Sequence, residues 1–158
     1  MTMEAYKLEK TLWTDADFEK MGWHDNPVHA IAFGPGGREL SLDIDYIFKW
    51  EQPLPGEKYY RFWISPATLV FEDVLDLKIN HDAYVGLIIL GIERKESEKS
   101  ELNFPKMIWK WRIDFVEAKW DFHATGYRQF IRKAPELFGR QRLTYEQRGD
   151  YAFSCPKT

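Results

Sequence analysis

Two histidine-aspartate pairs, His24-Asp25 and His81-Asp82, and two further histidines, His29 and His123, make up the imidazole content of the chain. Imidazole beside carboxylate is the chemistry of divalent-metal ligation and of proton transfer near neutral pH. On extended backbone successive side chains point to opposite faces, so both members of a His-Asp dipeptide can serve one site only where the chain bends. Trp23-His24-Asp25-Asn26-Pro27 has the composition of such a bend, a helix-to-strand turn in which Asp or Asn bonds nearby amides. His24 and Asp25 are thus catalytic candidates on residues that an ordinary turn would also use, and His81-Asp82 reads as a turn.

Asp43 and Asp45 form a second constellation, two carboxylates on one face of a strand and roughly 6 to 7 Å apart along it. Asp121 and His123 repeat the pattern elsewhere. If the two strands were neighbours, the set would offer oxygen and imidazole ligands to a divalent cation, or an acid and a base. Asp43 and Asp45 are the metal candidates and His123 a third catalytic one. The competing expectation is a wet polar face on which Arg61, Lys110 and Arg112 make cross-strand pairs. Covalent catalysis has little to work with: Cys155 is the single cysteine, near the C-terminus, and no Gly-x-Ser-x-Gly surrounds any serine. Gly34-Pro35-Gly36-Gly37 lacks the spacing and the following helix of a phosphate loop. No cofactor is expected, and the balance leans away from an enzyme.

The elements that must position these residues are mainly strands. From 40 to 48, Leu40, Leu42, Ile44, Tyr46 and Phe48 share one face while Ser41, Asp43 and Asp45 share the other. Met107, Trp109, Trp111, Ile113 and Phe115 alternate in the same way with Lys106, Lys110, Arg112 and Asp114. Further strands are expected over 28–33, 59–64, 67–73, 75–80, 85–94, 119–131 and 141–146. Thr14 with Asp17 predicts the N-terminus of a short helix over 14–21, stopped at Gly22. Gly34 to Gly37 and Val116-Glu117-Ala118 are turns, Pro53 to Gly56 and Glu93 to Glu101 are loops, and Pro66 marks an edge, bend or bulge. Short links between sequential strands favour an antiparallel meander curled into a sandwich or partly open barrel, with one or two short helices. The 158 residues are read as a single domain with a mobile tail over 150–158.

Composition is ordinary except for its aromatic share, with Trp 7, Tyr 8 and Phe 11. Alternation assigns Trp109, Trp111, Phe115, Trp120 and Phe122 to one buried face, leaving Trp23, Trp50, Trp63 and Tyr127 unassigned. Net charge is -3, which gives no general reason to expect nucleic acid. Residues 128 to 148 are nevertheless basic, carrying Arg128, Arg132, Lys133, Arg140, Arg142 and Arg148 against Glu136 and Glu146. That stretch is either a solvated face or a contact for an acidic protein surface or a phosphate. No secretory signal or apolar span is visible, and the lone cysteine fits a reducing compartment, so a cytoplasmic protein free of membrane is expected.

Phe18-x-x-Met21-Gly22-Trp23-His24-Asp25, then Leu40-x-Leu42-Asp43-Ile44-Asp45-Tyr46, and Gly126 through Pro135 together resemble an uncharacterised family of small bacterial proteins. More distantly, the His-Asp-then-strand opening is similar to β-rich immunity proteins that neutralise polymorphic toxins. The first resemblance implies no active site. The second implies a surface that blocks a toxin. The combined expectation is a non-enzymatic protein-binding domain, immunity-like in kind, that meets an acidic partner through Arg128, Arg132, Lys133, Trp23 and Tyr127, with homo-oligomers left open. The alternatives are a metal-binding or hydrolytic domain built on the His/Asp residues, and a barrel enclosing an apolar small molecule.

Overall fold

The computed structural model describes residues 4–82, 86–98, 106–149 and 152–153. Their strands are β1 (Leu12–Thr14), β2 (Asn26–Phe33), β3 (Leu40–Glu51), β4 (Arg61–Glu72), β5 (Leu75–His81), β6 (Ile88–Glu96), β7 (Trp109–Phe115), β8 (Ala118–Ala124), β9 (Gly126–Ile131) and β10 (Glu136–Phe138). They form one antiparallel sheet in the order β1-β9-β4-β3-β2-β6-β7-β8-β5, with β10 paired to β4, and the sheet does not close. Strand β2 turns the corner: Asn26 and Pro27 pair with β6, whereas Val28 to Phe33 pair with β3. The two halves fold over a shared core in which Phe71 of β4 lies 5.2 Å from Trp111 and 4.8 Å from Phe122, ring centre to ring centre. At another corner β4 runs into β5 and β8 into β9, where the Thr125 amide donates to the Glu72 carbonyl and its hydroxyl to Asp73.

The alternating patterns bury as expected except at Met107, which precedes β7 and is exposed while Ile108 is buried. Leu40, Leu42, Ile44, Trp111, Ile113, Phe115, Trp120 and Phe122 all belong to the core, and Trp109 is half-buried. Thr14 caps a 3-10 helix, Asp15–Lys20, through a reciprocal capping box with Asp17, and Gly22 follows its end. Glu117 takes a positive φ in the tight link between β7 and β8.

Four local expectations are corrected. Glu93 to Glu96, expected as loop, belong to β6 and pair with β7. Residues 59–64 and 67–73 are one strand, because Pro66 sits inside β4, paired with Asp45 on β3. Its carbonyl accepts from the Arg132 amide, so its nitrogen points to the same side, where β9 has ended and β10 has not begun. The missing N–H therefore falls in a gap of the ladder. Residues 119–131 are two strands, divided at Thr125. Residues 141–146 are no strand: Thr144 and Gln147 form a second capping box, which opens α1 (Tyr145–Arg148). Of the tail expected over 150–158 only Ala152 and Phe153 are described, and Ala152 is hydrogen-bonded to Asp43; Cys155 lies outside the described residues.

β3 and β4 are buried on both faces over most of their length. The inner face belongs to the main core. The outer face is covered by the segment from β10 through α1, and there Ile47, Phe62, Ile64 and Leu143 make a second apolar cluster. Replacing Trp111 by alanine removes the largest fully buried ring and its indole hydrogen bond to the Ala124 carbonyl. The expected loss is about 3 to 5 kcal/mol in denaturant unfolding, against about 0.5 kcal/mol or less for Lys119→Ala on the exposed face of β8.

Candidate functional site

Asp43 and Asp45 point to the outer face of β3, as alternation requires, yet both are fully buried. Arg148 of α1 comes down between them. Its Nη1 donates to Asp43 Oδ2 at 2.8 Å, its Nη2 to Asp43 Oδ1 at 2.7 Å, and its Nε to Asp45 Oδ1 at 3.2 Å. Arg132 adds a 2.8 Å bond to Asp43 Oδ1, and the backbone amides of Leu143 and Ala152 donate to Asp45 and Asp43. His29 Nε2 lies 2.6 Å from Asp45 Oδ2.

Two arginines thus balance two aspartates. Burial opposes ionisation of Asp43, but the hydrogen bonds from Arg148 and Arg132 together outweigh it and hold the carboxyl below its ordinary range. For Arg148 burial works against the charge, and its bonds and proximity to Asp43 and Asp45 win, keeping the guanidinium charged. The wet polar face expected at this doublet is therefore corrected: the neutralising cations come from the residue after β9 and from α1, more than eighty residues away in sequence, and not from Arg61, Lys110 or Arg112. Arg112 instead makes an exposed cross-strand pair with Asp121 at 2.9 Å.

The other candidates are dispersed. His123 is buried on β8, its Nδ1 2.6 Å from the Ser97 hydroxyl. His24 and Asp25 form the turn before β2, where Asp25 has a positive φ and its carboxylate lies 3.2 Å from His24 Nδ1. Among the described residues no group of three His, Cys, Asp or Glu side chains could hold a metal ion. Trp23 and Tyr127 are core residues, with their rings 5.7 Å apart and the indole donating to Gln129. Arg128 is paired with Glu39 and Glu72, and Arg132 with Asp43, so the solvated basic margin expected over 128–148 is corrected for Arg128, Arg132 and Arg148. Lys133 is exposed beside Glu136.

Besides Lys133, only Arg140 and Arg142 among the cations of that margin face solvent. They stand on the turn between β10 and α1, and with Lys58 they have no carboxylate partner among the described residues. Together with Tyr59, Tyr60 and Phe62 they line an open groove of about 520 Å³ floored by Pro27 and Ile88. Asp25 also lines it, with Oδ2 accepting from Gln141 at 2.9 Å, so the turn that sequence singled out does border a concave surface. Tyr59 is 80% exposed, and Tyr60 continues through Trp50 to His24 as a row of rings spaced 5.8 and 6.4 Å. Sequence reasoning left Trp50 unassigned and passed over Tyr59 and Tyr60; the one available signal was a Lys-Tyr-Tyr run one residue after the Pro55-Gly56 turn, where the pattern that buries aromatics is interrupted.

Set against known proteins, the chain matches no family model and no curated protein.

Removing Arg148 leaves two buried carboxylates short of a counterion, so Arg148→Ala is expected to cost about 3 to 5 kcal/mol of stability at neutral pH. Because the folded-state pKa of Asp43 is depressed, its contribution is present above the ordinary aspartate value of about 3.9 and is lost as pH falls through the lower folded value. Urea unfolding as a function of pH checks this: Asp43→Asn should be less stable than the native chain at neutral pH and show a shallower loss in acid.

Proposed function

We propose that this domain acts by binding an acidic protein surface, and that the groove beside Arg140 and Arg142 is where it binds. One observation carries the reading. The remaining arginines, Arg38, Arg61, Arg94, Arg112, Arg128, Arg132 and Arg148, face carboxylates or aromatic rings of the chain itself. Arg140 and Arg142 face solvent, next to exposed tyrosines. A guanidinium beside exposed aromatic rings is the composition enriched where proteins recognise one another, and an excess of one charge selects partners of the other. Of the titratable residues that could have supported catalysis, Asp43 and Asp45 are bonded to arginines, His123 lies against Ser97, and His24 and Asp25 pair in the turn before β2. A binding role is also what the likeness to toxin-neutralising immunity proteins implies.

The immobilised chain, incubated with lysate of its native host at low salt, should retain a stoichiometric acidic protein. Charge reversal in the groove, Arg140→Glu with Arg142→Glu, should reduce retention about tenfold or more. Lys95→Glu with Lys119→Glu changes net charge equally on exposed positions of β6 and β8 and should leave it intact. Equal retention by all three proteins would sink the proposal.

A further inference from the structure

Resting on that reading, we infer that the occupant of the groove is an acidic segment carrying an apolar or aromatic side chain among its carboxylates. The lining combines two chemistries. Arg140 and Arg142 form a cationic wall on the turn after β10, with Lys58 across from them in sequence on the hairpin between β3 and β4. Tyr59, Tyr60, Phe62, Pro27 and Ile88 supply the rest, and Phe62 is also part of the second apolar cluster. Three cations against Asp25 leave the lining positive, and Asp25 is already engaged by Gln141.

A purely acidic segment satisfies the guanidiniums but brings charged groups against Phe62, Pro27 and Ile88, where they lose water without gaining partners. A purely apolar segment covers those residues but leaves two guanidiniums desolvated and unpaired. Only a mixed segment meets both surfaces. The site is also preorganised. Arg142 lies beside Gly86, its Nη2 2.8 Å from where a Cβ would stand. The turn bearing both arginines is held between them, by Gln141 to Asp25, and just after them, by the Leu143 amide to Asp45. Tyrosine contributes large contact area with few rotatable bonds to freeze.

The test uses fluorescein-labelled synthetic peptides and anisotropy. One peptide carries glutamates flanking a Leu-Trp pair, one has the pair replaced by Gly-Ser, and one keeps the pair with glutamine for every glutamate. The mixed peptide should bind the full chain about tenfold or more tightly than either control, and Tyr60→Ala and Arg140→Glu, both at exposed positions, should each abolish that advantage. Equal binding of the Gly-Ser peptide would overturn the inference while leaving recognition of acidic partners intact. Binding of none of the peptides, with the lysate partner still lost on reversing Arg140 and Arg142, would also overturn it alone. Failure of both the peptides and the lysate capture would remove the binding reading with it.

Discussion

A guanidinium without solvent contact is stable only when its N–H groups meet acceptors and its charge meets an opposite one. Arg148 satisfies both demands through Asp43, Asp45 and the Ile44 carbonyl, all on three successive residues of β3. The consequence reaches well beyond one ion pair. α1 has a single helical turn and would not hold its shape alone, so its place on the sheet is fixed by what it inserts. With Arg148 seated, Leu143 reaches the second apolar cluster, Ala152 meets Asp43, and the outer face of β3 and β4 is sealed. Burying ions in this way is a poor source of net stability, but breaking the set is costly, which makes it a device for fixing one arrangement.

The sheet is built to need such a cover. Its inner face is a packed layer of aliphatic and aromatic side chains contributed by both halves, with Phe71 edge-to-face against Trp111, Phe122 and Tyr127, and Trp111 against Tyr127. Its outer face at β3 and β4 carries Ser41, Asp43, Asp45 and Ile47, too polar to pack against a second apolar layer and too deeply placed to be hydrated. The segment after β9 matches that mixture: β10 pairs with β4, Phe138 and Leu143 pack on Ile47, Phe62 and Ile64, and the arginines take the carboxylates. The proposed binding turn, 139–142, is suspended between these two anchors, so the ions that close the fold also set where Arg140 and Arg142 stand.

Much of the fold was legible in the residues. Period-two alternation identified the strands and the buried aromatic face, because a pleated strand offers only two directions and one of them must be apolar. The capping box at Thr14 was read and the same signature at Thr144 was not, since the second lies in a charged stretch without periodicity to frame it. Pro66 misled for a related reason: a missing N–H signals an edge unless the neighbouring strand is interrupted at that residue, and interruption is a property of the assembled sheet. The functional candidates were less legible. A basic run reads alike whether its arginines are dissolved or enclosed, and only Lys133, Arg140 and Arg142 of the six proved exposed.

Residue types and their spacing suffice to specify an antiparallel β protein with an aromatic core, Asp43 and Asp45 on one face of a strand, and a cation-rich stretch over 128–148. Those properties are local, set by residue type and by spacing along one strand. Tertiary structure alone decided that the aspartates and arginines neutralise one another, that Trp23 and Tyr127 are core, and that Tyr59, Tyr60, Arg140 and Arg142 converge on one groove. These are pairings across tens of residues, and whether a charge is buried or exposed depends on which distant element comes to lie against it.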